Sequence, residues 1–238
     1  MQPPTERSAT VTLPDILEAR RADQAAALLH SYYTQKLTSG HVRTGSYFDT
    51  WAGGGAGPSV ANRLTAEDLV AIALLGEDIK GPAVLGLLET HAEEITGLLE
   101  QIPADLNMAE VPPEDFTRLY GKDSAAWQLW DLIRGYKGGQ WRMGPTKTSK
   151  LMARKRPKLI PVWDSVVASA AGLSSSLTYW EEWHGLLRAN DGELARRLDK
   201  VQEAAELPAP VTTLRAMDVI LWMDGKQRGF RHTGTDDE

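Results

Sequence analysis

From residue 14 onward, apolar residues return every three or four positions, a spacing that lays them along one face of an α-helix. Pro14 suits a first helical position, and the pattern predicts a long helix over 14–37. Thr65-Ala66-Glu67-Asp68 supplies a capping residue and an acidic first turn for the next helix, whose apolar positions run from Leu69 to Leu75. Gly81-Pro82 separates it from its neighbour. Ile95, Leu98, Leu99 and Ile102 stripe a helix over 93–101, and 103–113 reads as a loop. Ser124 caps a helix that ends at Arg134, with Trp127, Trp130 and Ile133 on one stripe. Beyond Asp164 the pattern gives helices over 165–171 (stopped by Gly172), 179–189, 192–205 and 211–223. No alternating strand of useful length appears, and no internal repeat. The expectation is an all-α chain: one two-lobed helical domain over 13–224, with disordered tails at 1–12 and 225–238. One stretch resists assignment. The glycines of 45–58 suit either an ordered loop or a short hairpin. They lack the Gly-Lys-Ser/Thr of a phosphate loop. Arg43, Tyr47, Phe48 and Trp51 would line a pocket there or simply anchor the loop.

The composition narrows the chemistry. The 238 residues include no cysteine, which removes disulfides, thiolate metal sites and cysteine nucleophiles. The five histidines are scattered, so no metal site is expected. No signal-peptide pattern opens the chain, and the longest apolar run, 69–75, is too short to span a bilayer. The expectation is a cytoplasmic protein without a membrane partner; the oligomeric state is not legible. Trp127, Trp130, Trp180, Trp183 and Trp222 fall on helical stripes and read as core.

Charge changes the picture more. Between Asp131 and Asp164 stand nine basic residues and no acidic one: Arg134, Lys137, Arg142, Lys147, Lys150, Arg154, Lys155, Arg156 and Lys158. The whole chain carries −6, so the remainder carries −15. A soluble face usually mixes signs, so this window is the expected dock for an anionic partner. Locally, Met143-Gly144-Pro145 turns into a short helix on which Lys147, Lys150 and Arg154 share a face at i, i+3 and i+7. Thr146 or Thr148 would cap it, leaving backbone N–H groups for an anion. Pro157 ends it. An extended 158–163 segment then delivers Asp164, either as a helix cap or as a positioned catalytic carboxylate. If Lys147, Lys150, Arg154, Lys155 and Lys158 all met phosphates, the log–log salt slope of DNA binding would be about −4 to −5.

Gly144, Lys147-Thr148-Ser149, Pro157, Pro161-Val162 and Asp164 resemble the core of the helix-hairpin-helix DNA glycosylase superfamily, an all-α, two-lobed group. Its hairpin reads Gly-x-Gly-x-x-Thr-Ala and is followed by a helix, a proline-bearing segment and an aspartate. Three departures stand out: Arg142 replaces the first hairpin glycine, one extra residue separates Gly144 from Lys147, and Trp163 intervenes between Val162 and Asp164. The resemblance implies DNA as partner and removal of a modified or damaged base. Asp164 would stabilise the oxocarbenium-like sugar, and Lys147 would be the nucleophile of a lyase-competent member. Arg142, Gly144, Thr146, Lys150, Arg154, Lys155, Arg156 and Lys158 would hold the DNA, and Tyr136, Trp141 or Trp163 would stack on the flipped base. No cofactor is implied beyond a monovalent cation held by hairpin carbonyls. The whole chain is also similar to a mostly actinobacterial family of uncharacterised proteins, through 150–167 and 214–223. Three other readings stay open: a non-catalytic DNA-binding module, a binder of a small phosphorylated or anionic ligand, and a basic segment that pairs with the acidic remainder or a protein partner. Outside the window, Asp218 in the final apolar helix reads as a buried hydrogen-bonding group or a solvent-facing one. Glu181, Glu182 and His184 read as a solvated face.

Overall fold

Ten α-helices and several short 3-10 turns carry the chain, and no strand forms among the residues described, 12–135 and 141–231 of this computed structural model. The helices are α1 (Ala22–Thr34), α2 (Ala66–Leu74), α3 (Gly81–Leu85), α4 (Ala92–Gln101), α5 (Phe116–Tyr120), α6 (Ala125–Arg134), α7 (Pro145–Lys155), α8 (Ser165–Ala171), α9 (Tyr179–Ala204) and α10 (Thr213–Gln227). They pack as two groups. Helix α1 lies against α9 and α10, and α8 against α10, whereas in the middle of the chain α4 packs on α6 and α7 packs on both α6 and α2. The first helix therefore joins the last three across the intervening lobe. One apolar core runs through both groups, from Leu29 and Ile220 to Ile72, Leu129 and Leu151.

Local chemistry sets most of the boundaries. Thr65 and Asp68 form a reciprocal capping box at the start of α2, the Thr65 N–H donating to Asp68 Oδ2 at 2.9 Å. Ser124 Oγ accepts from the Trp127 N–H at 3.1 Å and starts α6. Gly172, at φ +69, lets the chain leave α8 in the left-handed region. Helix α9 is interrupted over 189–192, where Asn190, Asp191 and Gly192 all take positive φ, so it divides as the hydrophobic pattern over 179–205 predicts.

Elsewhere tertiary contacts overrule the pattern. The helix expected from Pro14 is two 3-10 turns until Ala22, because Glu18 is extended; Ile16 and Leu17 are thereby buried, and Arg197 donates to the Leu17 carbonyl. The glycine-rich stretch forms 3-10 turns, Thr44–Tyr47 and Trp51–Gly53, rather than a hairpin. The loop expected over 103–113 holds the 3-10 turns Met108–Glu110 and Pro113–Asp115, the second leading into α5. Helix α10 continues through Gln227, past the helix end expected at 223, with Asp224 and Gly225 buried. No helix among the described residues is long and apolar enough to cross a membrane.

Candidate functional site

Helix α7 begins at Pro145 on a Gly144 N-cap rather than on Thr146 or Thr148; Thr148 Oγ1 instead donates back to the Met143 carbonyl at 3.2 Å. Buried neighbours meet its basic face. Lys150, Arg154, Lys155 and Arg156 are only 3%, 3%, 0% and 1% exposed. Arg154 donates to the carbonyls of Phe48, Asp49 and Trp51 and lies 3.4 Å from Asp68 Oδ1. Lys155 Nζ sits 2.5 Å from Asp68 Oδ2 and donates to the Gly55 and Val60 carbonyls. Arg156 donates to the carbonyls of Leu99, Ile102, Ala61 and Lys155 and to Asn62 Oδ1. Burial pushes the Lys155 ammonium below its ordinary value against the pull of Asp68, and pushes the Arg156 guanidinium down to about 10.

Arg154 and Lys155 clamp the glycine-rich loop to α7. A Cβ at Gly55 would lie 2.5 Å from the Arg154 carbonyl oxygen and 2.8 Å from its Nε, so only glycine lets the two backbones meet. Arg154, Lys155 and Arg156, expected to hold DNA, are instead buried in the protein. Their donors are spent on internal oxygens, and a phosphate would have to replace those bonds inside a dry interface. Of the expected DNA-contacting cations, Arg142 and Lys158 are exposed; Lys147, the expected nucleophile, is half-buried.

Lys150 faces a different space. A cleft of about 550 Å³ opens where α1, α10 and the start of α8 meet α2 and α7, lined among others by Tyr32, Lys150, Asp164, Arg215, Asp218 and Trp222. Asp164 reaches it from the N-cap of α8: Oδ1 accepts from the N–H groups of Val166 and Val167 at 2.9 and 3.4 Å, and Oδ2 lies 3.5 Å from Lys150 Nζ. The carboxylate is thus both a cap and a cleft group, alternatives the sequence left open. Glu77 Oε1 holds the same ammonium at 2.5 Å. Opposite, Arg215 donates to Asp49 Oδ2 (3.0 Å), Asp218 Oδ2 (2.5 Å), the Tyr32 hydroxyl (3.2 Å) and the Gly45 carbonyl (2.9 Å). The Asp218 carboxyl is raised to about 6, chiefly by burial; Arg215 pulls it down and Asp164 pushes it up again.

The remaining predicted residues scatter. Lys147 Nζ donates to the Arg142 carbonyl at 3.3 Å and is not part of the cleft lining, so the structure brings Lys150 rather than Lys147 to Asp164. Trp141 is buried where a Cβ at Gly86 would come within 2.6 Å of its ring, and Trp163 packs edge-on against Tyr179 at 5.4 Å. Neither lines the cleft; its aromatic wall is Tyr32 and Trp222. Tyr136 falls on residues 136–140, outside the described residues. Arg142 adopts a left-handed backbone, φ +54. Glu181 is exposed, but His184 is buried and meets the Val111 carbonyl, which removes it from any solvated face. Among the described residues no group of three or more His, Asp or Glu could hold a metal ion.

Sequence reasoning passed over Arg215 and underweighted Asp218. Their signal was present: two opposite charges at i and i+3 inside an apolar helix, a spacing that pairs them on one buried face. What the sequence could not supply was that this face meets Asp164.

The profile of a family described as "Family of unknown function (DUF6308)" matches residues 25–225. No curated protein and no solved structure matches the chain.

Proposed function

The chain belongs to this family of unknown function, DUF6308, so its activity has to be argued from its own residues, and we propose that the cleft between the two helix groups cleaves an N-glycosidic bond, glycosylase-fashion, on a modified or damaged base presented out of DNA. One observation carries the reading: Asp164, pinned by its cap bonds, presents its second oxygen beside Lys150 in a cleft of about 550 Å³. Such a volume is within the range of small-molecule sites and has room for a base with its sugar. A carboxylate fixed by two backbone N–H groups is preorganised to offset positive charge growing on the sugar as the base departs. The ring of Trp222 offers a wall for the base.

Water, not lysine, is the nucleophile in this reading. Lys150 Nζ is engaged by Glu77 and Asp164, and Lys147 Nζ turns toward the Arg142 carbonyl. Borohydride should therefore trap no covalent protein–DNA adduct. A second reading, a small soluble ligand in place of a DNA strand, is favoured by the inward-facing cations of α7, which leave little positive surface for a duplex.

The test is base release from oligonucleotides carrying a panel of modified bases, run beside the corresponding free nucleosides. Asp164→Asn keeps an oxygen for the α8 cap but loses the charge. Cleavage should fall by about 10²–10³ while the melting temperature holds. Base release that survives in Asp164→Asn sinks the assignment; turnover of nucleosides but not oligonucleotides moves it to the second reading.

A further inference from the structure

We propose that Asp218 is the second working carboxyl of this cleft, protonating the departing base while Asp164 faces the sugar; this rests on the N-glycosidic reading above. The geometry comes first. Asp218 is 7% exposed on α10 and lines the cleft together with Asp164 and Lys150. Arg215 Nη1 holds its Oδ2 at 2.5 Å. A buried carboxyl lining a cleft is costly when ionised, and when protonated it carries a proton that a ligand can accept.

Arg215, Asp164 and Lys150 act on that proton. Arg215 lies on the same helix, Lys150 comes from α7, Asp164 from the start of α8, and Tyr32 and Asp49 flank Arg215. Burial is the largest influence and the nearby Asp164 adds to it, so the carboxyl sits at about 6 despite the two cations. A buried carboxyl raised toward neutral pH can serve as the acid beside a second carboxylate that offsets charge. In the reaction, the Asp218 proton passes to a ring nitrogen of the base as the bond from sugar C1′ to the base nitrogen breaks and its electron pair stays with the base. Water adds to C1′, and the proton it releases returns to the Asp218 carboxylate. The balance is one water consumed, with free base and a sugar hydroxyl formed.

The experiment compares two leaving groups. Duplexes carrying hypoxanthine present a neutral base that needs a proton to leave. Duplexes carrying 7-methylguanine present a cationic base that departs neutral without one. For hypoxanthine, wild-type kcat/KM should fall about tenfold per pH unit above the Asp218 titration, and Asp218→Asn should cost about 10²–10⁴. For 7-methylguanine, both the pH limb and the cost should be absent. Equal losses on the two duplexes mark Asp218 as merely structural and overturn the inference, as does no loss on either. In both cases the N-glycosidic reading survives, because the wild type still cleaves. A wild type that cleaves neither duplex overturns that reading and the inference with it. Carboxyl ¹³C NMR of the wild-type protein keeps the test independent of the variant's folding: Asp218 should titrate near 6, and a carboxyl already fully ionised at pH 4.5 overturns the assignment.

Discussion

Arg142 holds a left-handed backbone at φ +54, a conformation that costs a non-glycine residue roughly 1–2 kcal/mol. Glycine recovers that cost but loses roughly 0.5–1 kcal/mol to its freer unfolded chain. Arg142→Gly should therefore raise stability by about 0.5–1 kcal/mol in urea unfolding, and an unchanged or lowered midpoint contradicts the strain. Asp68 makes the opposite case. It closes the capping box of α2 and neutralises Lys155 and Arg154 in a dry interface. Asp68→Ala strands those cations, and a loss of about 3–5 kcal/mol is expected. A loss below about 1 kcal/mol, the scale of exposed pairs, argues that water reaches the clamp.

At the scale of elements, α8 separates the two duties of Asp164. Asp164→Ala removes the cap from Val166 and Val167 and should cost about 0.5–2 kcal/mol, whereas Asp164→Asn should cost little. If the two variants unfold alike, the cap contributes nothing. The same scale shows what the pattern could carry. The starts of α2 and α6 and the end of α8 follow from Thr65, Ser124 and Gly172, residues whose side chains or backbone freedom act within one turn. The late start of α1 was not legible, because Glu18 is extended only where Ile16 and Leu17 find the core.

At the scale of the molecule, the charge asymmetry keeps its sign but loses its surface. With Arg142, Lys147 and Lys158 as the remaining cations of the expected DNA set outside the core, the salt slope of duplex binding should be no steeper than about −3. A slope of about −5 in anisotropy titrations requires α7 to turn outward and contradicts the buried clamp. Asp218 gives the molecule a pH signature. Its folded value of about 6 lies above the ordinary 3.8, so the folded state binds its proton more tightly than the unfolded chain. That contribution is fully present below the unfolded value and is lost as pH rises through about 6, on the order of 3 kcal/mol at most. Urea unfolding at pH 5 and pH 8 should show this decline in the wild type and a flatter profile in Asp218→Asn; parallel profiles rule it out.

By itself the sequence determined the helical class, most of the later helices and the concentration of cations around α7. These are short-range consequences of periodicity, capping and composition. Only the tertiary structure decided which way those cations point. Charge along a chain is silent about partners far away in it, and Phe48, Asp49, Gly55, Asp68 and Leu99 are the groups that bind the cations of α7. The cleft was likewise a product of packing: Asp164 and Asp218 are 54 positions apart in the chain, and they become one site because α8 packs on α10.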